Sequence, residues 1–414
     1  MAMRVYVEAA GCDRRQLDIQ TIRTYLLAND YELVDDPAKA DKIVVSTCAF
    51  KAKEEDESVR RLRSLRKYQA DILVYGCLPD IAGERYPEFD DLPHVAPREI
   101  ETIDRHFEGI TTPFAEVLEA STLTHQKLDL VRVRRRIESG LAPGPDFRQA
   151  RALGLKRIRE VFAKPEDAWY LFVSRGCVGS CSYCAIRRSI GRVRSKSIHD
   201  VVGELRRGIA EGYRTFEILG DDPGCYGVDI EASLPELLSA LLDAAAAEEA
   251  EPGARASLNG DTPIRFRIRE IHPRFLVRYH EEMLNLPGFS RVDNVLCPVQ
   301  SGSDRILTLM QREHTADELL GAIQRIRELS PDVTLDTQII VGFPTETDAE
   351  FHQTLDTIKA AGFDSVVVFP YHDKVGTVAS KLADKIADSE IERRMRAAFR
   401  FFRHEGIAAY YSCP

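Results

Sequence analysis

Residues 169–184 read Trp169-Tyr-Leu-Phe-Val-Ser-Arg-Gly-Cys177-Val-Gly-Ser-Cys181-Ser-Tyr-Cys184. The first five are an apolar run typical of a buried strand, and the rest is a loop that contains three cysteines in the spacing CxxxCxxC. The cysteines therefore follow the carboxyl end of a strand, which is where (β/α) barrels build their active sites.

The segment from 168 to 385 alternates strand-like and helical patterns. Because six such units fit a partial (β/α)6 barrel better than an open sheet, we expect a barrel. The candidate strands are Trp169–Val173, Thr215–Leu219, Phe266–Glu270, Val295–Val299, Thr334–Val341 and Ser365–Phe369.

The first 125 residues show a second β/α alternation, which predicts an open parallel sheet with crossover helices. Its strands are Val5–Ala10, Lys42–Ser46 and Ile72–Tyr75, with helices at Gln16–Asn29 and 51–68 between them. The fold class is therefore α/β, with an N-terminal open α/β sheet domain before the barrel. We interpret 126–167 as a linker and 386–414 as a C-terminal tail in which one amphipathic helix covers about 388–411.

Three cysteines of the N-terminal domain each lie just beyond one of these strands, at Cys12, Cys48 and Cys77. The carboxyl ends of parallel strands share one edge of a sheet, so these thiols can converge. The helix after Cys48 would point its N-terminus at them and favour bound negative charge. The alternative is coincidence, since cysteine is commonly buried.

The chain has nine cysteines, and an odd number argues against a disulfide framework. A [4Fe–4S] cube held wholly by protein takes four thiolates, so the three of Cys177, Cys181 and Cys184 would leave one iron open. A zinc site with a distant fourth ligand is the alternative. Cys225 and Cys297 suit packing better than sulfur transfer, and Cys413 lies in the tail.

The formal net charge of −10 argues mildly against a large RNA-binding surface. Two basic runs, Arg132–Arg136 and Arg187–Lys196, are local candidates, with a solvated face as the alternative. The sequence has no apolar run long enough to cross a membrane and no signal peptide, so we expect a cytoplasmic protein.

The CxxxCxxC loop resembles that of the radical S-adenosylmethionine (SAM) superfamily. The resemblance implies that the open iron binds SAM and that one electron splits SAM into methionine and a 5′-deoxyadenosyl radical. Tyr183, just before the third cysteine, is then a candidate contact for the adenine ring, with a core position as the alternative.

With the second cysteine triad, the chain from about residue 3 to about 383 resembles the methylthiotransferases. This resemblance implies two [4Fe–4S] clusters, an auxiliary one on Cys12, Cys48 and Cys77, and the conversion of an unactivated C–H into a carbon–sulfur bond. By the same matching, the candidates for holding SAM are Asp221, Gln300 and Ser301. The matching stretches are Gly11-Cys12, Ser46-Thr-Cys48, Gly76-Cys77, Leu219-Gly-Asp-Asp222, Tyr226-Gly227, Pro298–Ser303, Met310-Gln-Arg312, Ile340–Pro344, Glu346-Thr347 and Gly376-Thr377.

Several features of the family are absent. We expect no C-terminal TRAM domain of the usual kind after the barrel, because the sequence stops at Pro414, with a truncated sequence as the alternative. The asparagine after the first cysteine is missing, since Cys12 leads into Asp-Arg-Arg-Gln-Leu-Asp18. Other departures are Ile190-Gly191, Gln338, Thr345 and Tyr371-His-Asp-Lys374.

From these departures we predict a peptide or a small natural-product intermediate as the substrate. The alternatives are a tRNA adenosine methylthiotransferase and, from another class, a non-catalytic iron–sulfur electron-transfer protein. The expected electron donor is reduced flavodoxin or ferredoxin, and we expect a monomer with no membrane partner. Whether the product carries a thiol or a methylthio group stays open.

Overall fold

A computed structural model of the protein describes residues 2–123, 168–250 and 262–411. The predicted linker at 126–167, the basic run Arg132–Arg136 and Cys413 therefore lie outside the described residues. Two sheets organise the rest of the chain, one on each side of residues 124–167.

The N-terminal sheet is parallel throughout, with the strand order β2-β1-β3-β4-β5. The three strands expected to carry cysteines, β1, β3 and β4, are therefore direct neighbours. The strands are β1 (Arg4–Glu8), β2 (Glu32–Val34), β3 (Lys42–Thr47), β4 (Asp71–Gly76) and β5 (His94–Val95). The helices are α1 (Asp13–Ala28), α2 (Ala52–Leu65) and α3 (Leu78–Ala82), and 3₁₀ segments include Pro97–His106.

Both faces of this sheet are covered, which explains why its central strands are continuous apolar runs. One face packs on α1 through Ile19, Ile22 and Leu26. The other face packs on α2 through Val59 and Leu62. These residues recur at helical spacing, so each helix buries one apolar stripe.

The second sheet has the order β13-β12-β11-β10-β9-β8-β6-β7. Every pairing in it is parallel except that of β6 with β7. Its strands are β6 (Ala168–Arg175), β7 (Arg194–Ser195), β8 (Thr215–Gly220), β9 (Arg265–Ile268), β10 (Val292–Leu296), β11 (Thr334–Val341), β12 (Ser365–Pro370) and β13 (Ala408–Tyr411). Its helices are α4 (Arg187–Ile190), α5 (Ile198–Ala210), α6 (Leu234–Ala250), α7 (Pro273–Leu284), α8 (Asp304–Leu309), α9 (Ala316–Leu329), α10 (Asp348–Ala361) and α11 (Asp388–His404).

The six predicted barrel strands are all present, and helices connect them in sequence, so the α/β fold class and the partial barrel are confirmed. The prediction of one helix over 388–411 is wrong beyond His404. The helix ends there, and Ala408–Tyr411 pairs with β12 as a further parallel strand. Parallel pairing with β12 outweighs the local amphipathic pattern. No described helix is both long and apolar enough to cross a membrane.

A buried carboxylate joins the two sheets. Asp18 on α1 has no solvent exposure, and it accepts hydrogen bonds from the Tyr75 hydroxyl at 2.5 Å and from Arg175 Nη1 at 2.6 Å. Arg15 Nε lies 3.0 Å from its second oxygen. Since Arg175 ends the first barrel strand, this carboxylate fixes the N-terminal domain against the barrel.

Glu119 continues this contact on the far side of Arg175. One oxygen lies 2.9 Å from Arg175 Nη2 and the other 2.7 Å from Lys196 Nζ. Burial by itself would raise the pKa of Glu119, but the charges of Arg175 and Lys196 hold it at about 2. A second buried pair, Glu55 with Lys374, connects α2 to the loop after β12.

The Glu119 pair should give the protein a measurable pH dependence. Glu119→Gln should lower the free energy of unfolding at pH 7 by about 1–2 kcal/mol, because the side chain is 27% exposed and solvent screens part of the attraction. Because the pKa of Glu119 is lower in the folded protein than in the unfolded chain, its charge stabilises the fold at pH values above about 4.5. That stabilisation is lost as the pH falls toward 2. Urea unfolding at several pH values should therefore show the difference from wild type shrinking over this window.

Glu116→Gln is the matched control, because Glu116 is exposed and lies three residues away. It should change the unfolding free energy little at any pH. If Glu119→Gln lost as much stability near pH 2 as at pH 7, the charge of Glu119 would not be the cause.

Candidate iron–sulfur and SAM site

The auxiliary cysteines Cys12, Cys48 and Cys77 lie at one edge of the N-terminal sheet. Cys48 and Cys77 directly follow Thr47 and Gly76, which are register partners on β3 and β4. The sheet edge therefore brings together the three residues that the strand pattern singled out.

The same edge carries a cavity of about 290 Å³, lined in part by Gly11, Cys12, Cys48 and Phe50. Cys12 is exposed, Cys48 is half-buried and Cys77 is buried. Cys12 is also the residue that precedes the first turn of α1, and its carbonyl accepts from the backbone of Gln16 at 2.9 Å. The positive end of that helix is thus directed at the thiols and favours a bound anionic group.

The thiols of this triad affect one another electrostatically. Burial raises the pKa of Cys48 to about 12, and the charges of Cys12 and Cys77 add to the rise. Burial likewise raises the pKa of Cys77 to about 11, with Arg15 opposing part of the shift. The raised pKa values of Cys48 and Cys77 favour neutral thiols unless a bound cation stabilises the thiolates, as a metal or cluster would.

The second triad lies on the loop after β6, and a glycine sets its direction. Gly176 has φ +80°, and a Cβ there would lie 2.0 Å from the carbonyl oxygen of Arg192. Only glycine allows this turn, which sends Cys177 away from the strand. Gly76, before Cys77, does the same with φ +124°, where a Cβ would lie 2.3 Å from the Thr47 carbonyl oxygen.

Hydrogen bonds to other loops hold the second triad in place. Ser182 donates its backbone N–H to the Met310 carbonyl at 2.9 Å, and its own carbonyl accepts from the N–H of Ala379 at 2.9 Å. The N–H of Gly179 donates to Cys177 Sγ at 3.1 Å. The loop is therefore fixed at the carboxyl ends of the barrel strands.

Cys181 receives two N–H groups from buried side chains. Arg312 Nη1 lies 3.6 Å from its sulfur and also donates to the Tyr183 hydroxyl at 3.2 Å. His272 Nε2 lies 3.7 Å from the same sulfur, while its Nδ1 accepts from the N–H of Arg274. Burial and the charge of Arg312 lower the pKa of His272, so the ring is neutral and its proton lies on Nε2. Both side chains therefore place an N–H within hydrogen-bonding distance of the Cys181 sulfur.

The predicted SAM contact Asp221 lies between the two triads. One oxygen accepts from the N–H of Gly176 at 2.7 Å, and the other is 3.3 Å from Arg14 Nε. Arg14 also donates to the Gly220 carbonyl at 3.0 Å and to Glu270. Asp221 thus ties the loop of Cys177 to the first turn of α1, two residues after Cys12.

The other predicted SAM contacts, Gln300, Ser301 and Tyr183, differ in how many of their polar atoms are already bonded. Gln300 is buried with φ +73°, its backbone pairs with Gln338, and its Oε1 has no partner among the described residues. The Ser301 hydroxyl bonds that of Thr354 at 3.2 Å and accepts from the N–H of Ser303. Tyr183 packs on Met310 and Phe343 while Arg312 holds its hydroxyl.

The donor chemistry of both triads fits iron–sulfur clusters. Each triad offers three free thiols on turns at strand ends, with cationic or N–H donors nearby. Among the described residues, no three His, Cys, Asp or Glu side chains lie close enough to hold a single metal ion.

The sequence pattern missed several residues of the site, above all Arg15, Asp18, His272 and Arg312. Their positions in the sequence could have identified three of them, because Arg15 and Asp18 follow Cys12 by three and six residues and His272 follows a barrel strand. Cys225 and Cys297 are fully buried in the barrel core, where Cys225 also hydrogen-bonds with Cys177 of the second triad.

Comparison with known proteins defines the class. Residues 171–358 match the radical SAM superfamily, and residues 4–94 match the uncharacterized protein family UPF0004. The protein is therefore a radical SAM enzyme, a class that uses a [4Fe–4S] cluster and SAM.

Curated relatives narrow the class further. The chain is 31% identical over 404 residues to the ribosomal protein uS12 methylthiotransferase RimO of Thermotoga sp. (strain RQ2), covering 95% of this chain and 81% of the relative. It is 28% identical over 407 residues to the tRNA-2-methylthio-N(6)-dimethylallyladenosine synthase of Aquifex aeolicus, covering 96% and 82%. A probable threonylcarbamoyladenosine tRNA methylthiotransferase of Pyrococcus horikoshii is 28% identical over 381 residues, covering 92% and 79%. The chain belongs to the radical SAM methylthiotransferase family, whose members insert sulfur with two [4Fe–4S] clusters and SAM.

A solved structure supports the fold. The radical SAM methyltransferase TsrM from Kitasatospora setae, with cobalamin and a [4Fe–4S] cluster bound, superposes with a TM-score of 0.57 at 14% identity. The superposition covers 92% of this chain and 77% of that chain.

The relatives overturn the predicted substrate. A peptide or small natural-product intermediate was inferred from the net acidity and from the family features that this sequence lacks. Relatives that match more than nine tenths of this chain are instead methylthiotransferases of tRNA or of ribosomal protein uS12. The prediction is therefore wrong, because departures at the mouth of the site do not imply a smaller substrate.

The two turn glycines give a test of which cysteines hold which cluster. Gly176→Ala should displace the loop of Cys177 and reduce the iron content from about eight to about four per chain, with loss of 5′-deoxyadenosine production. Gly76→Ala should lose a similar amount of iron but retain SAM cleavage. Iron analysis and chromatography of the reaction products measure both.

Gly203→Ala is the control, because a Cβ at Gly203 on α5 would meet nothing within 4 Å. It should keep full iron and gain about 0.5–1 kcal/mol of stability. Full iron content in Gly176→Ala would contradict the assignment of a cluster to its loop.

Proposed function

We propose that this protein is a tRNA adenosine methylthiotransferase. In this proposal two cysteine triads at strand ends hold the reactive clusters, and exposed arginines near the cluster loop bind the phosphates of the RNA. The tRNA-modifying relatives support the same substrate class. Modification of ribosomal protein uS12 is the second candidate, because the relative at 31% identity is named for that protein.

In this proposal Cys177, Cys181 and Cys184 hold the cluster that cleaves SAM, and Cys12, Cys48 and Cys77 hold the auxiliary cluster. Bound together, these groups supply a carbon-centred radical and a sulfur to join to it. The described side chains connect the two sites. Asp221 has a central part, because it contacts both the Gly176 turn and Arg14.

Gln300 and Tyr183 would contact SAM directly. The unpartnered Oε1 of Gln300 can accept a hydrogen bond from a ligand, and leaving it unbonded costs about 1–3 kcal/mol. The Tyr183 ring offers an apolar face beside the cluster loop. Asp221 and Ser301 would act by holding the loops that surround the ligand, since their oxygens already have protein partners.

The observation that favours RNA over protein is a basic rim formed by Arg187, Arg188 and Arg192. All three are exposed, and none has a carboxylate partner among the residues that the structure describes. Arg187 donates to the Gly179 carbonyl at 3.1 Å, so the rim adjoins the cluster loop. A Cβ at Gly376 would lie 2.4 Å from Arg188, which places this arginine beside the loop after β12. Arginines without a carboxylate partner at the entrance of a site are typical of phosphate binding.

The reaction itself can be tested with the reconstituted, reduced protein, SAM and bulk tRNA. We expect 5′-deoxyadenosine and, after digestion of the tRNA, an adenosine that carries a methylthio group, both measured by mass spectrometry. A variant with alanine at Cys12, Cys48 and Cys77 should still form 5′-deoxyadenosine but no methylthio product. Modification of uS12 but not of tRNA would contradict the proposal and support the second candidate. Absence of SAM cleavage would favour the electron-transfer alternative.

The basic rim should carry a salt-dependent part of tRNA binding. Arg188→Gln with Arg192→Gln should weaken binding and reduce the slope of log affinity against log salt by about 1–2, since each lost phosphate contact removes a fraction of the released counterions. Filter binding at several salt concentrations measures this slope.

The matched control removes the same charge elsewhere, with glutamine at Arg400 and Arg403, two exposed residues on α11. Its slope should equal that of wild type. Equal slopes for both double variants would show that the rim does not contact RNA.

A further inference from the structure

Arg15 is a buried cation whose hydrogen-bonding capacity is unused. It lies in the first turn of α1, three residues after Cys12, and its side chain is 2% exposed. Nε is 3.0 Å from an oxygen of Asp18, yet Nη1 and Nη2 have no hydrogen-bond partner among the described residues. A buried charge is ordinarily paired and fully hydrogen-bonded, because its desolvation costs several kcal/mol.

The surroundings of Arg15 place its side chain beside the auxiliary triad. Its Cβ would lie 3.2 Å from a Cβ built at Gly11, the residue before Cys12. Burial opposes its charge, but the neighbouring Asp18, Asp221 and Cys77 hold its pKa well above the usual value.

Other charges near Arg15 do not use its free donors. Asp18 is shared with Arg175, and Asp221 accepts from Gly176 and Arg14. A group bound by the cysteines at this edge could accept the remaining hydrogen bonds of Arg15. A cube with three thiolates and its own sulfides carries negative charge and exposes several acceptors, so it matches two unpartnered N–H donors.

We propose that Arg15 donates its free Nη groups to the auxiliary cluster held by Cys12, Cys48 and Cys77, and thereby raises the reduction potential of that cluster. Hydrogen bonds and positive charge favour the reduced, more negative state of an iron–sulfur centre. Arg15 acts through the cluster and is therefore a positioning residue. The inference rests on the auxiliary cluster of the proposed function.

The test uses the full-length chain with alanine at Cys177, Cys181 and Cys184, so that only the auxiliary cluster loads. Iron content comes first and should be about four per chain. A redox titration followed by electron paramagnetic resonance then gives the potential. In Arg15→Asn, the ratio of reduced to oxidised cluster at the original midpoint should fall about tenfold, which is a shift of about 59 mV for one electron.

Arg15→Lys keeps the charge and should return the potential toward the original value. Arg23→Gln is the matched control, since Arg23 lies eight residues along α1, about 12 Å away, and donates to the Val7 carbonyl at 2.8 Å. Its potential should not move. Arg15→Gln carries the same test where the asparagine variant does not fold.

Two failures can be told apart. A full iron complement with an unchanged potential in Arg15→Asn or Arg15→Gln overturns the role of Arg15. Absence of a cluster in the chain that retains Arg15 would instead contradict the auxiliary cluster itself.

Discussion

The relative position of the two cysteine triads depends on an alternating series of buried charges. It runs from Arg15 to Asp18, Arg175, Glu119 and Lys196, each within about 3 Å of the next. Each carboxylate in it lies between two cations, so the removal of any one member leaves a neighbour under-compensated, at a cost of about 3–5 kcal/mol where the site is fully buried. Since β6 carries both Arg175 and the loop of Cys177, this series sets the distance from one triad to the other.

Both triads arise from one local device. A parallel strand ends, a glycine adopts positive φ, and a cysteine follows at the exposed edge, as at Gly76–Cys77 and Gly176–Cys177. The strand supplies rigidity, because its neighbours hydrogen-bond along its whole length, while the turn directs the sulfur away from the sheet. This turn explains how two unrelated sheets present cysteine thiols in the same way. Docking of the two sheets is then needed to combine the two triads into one site.

This device is also why the sequence predicts so much of the site. Strand periodicity with a cysteine at each strand end was enough to group Cys12, Cys48 and Cys77, and the CxxxCxxC spacing identified the other triad. The docking contacts were not predictable, because Asp18 and Arg175 are 157 residues apart and neither belongs to a spaced motif. The strand Ala408–Tyr411 was missed for a related reason: its partner β12 lies about 40 residues earlier, and only pairing with it selects the extended form.

The substrate prediction was wrong because it used the net charge of the whole chain to judge the charge at the site. A net charge of −10 averages over the whole surface, whereas phosphate binding depends on the potential at the few side chains that meet the polyanion. Asp18, Glu55 and Glu119 pair with cations at the domain contact, so their charges are neutralised locally. Arg187, Arg188 and Arg192 have no such partner in the described chain, so their charge acts outward. With a Debye length of about 8 Å at physiological salt, an approaching substrate responds mainly to the charges within that distance, and the arginines of this rim adjoin the cluster loop.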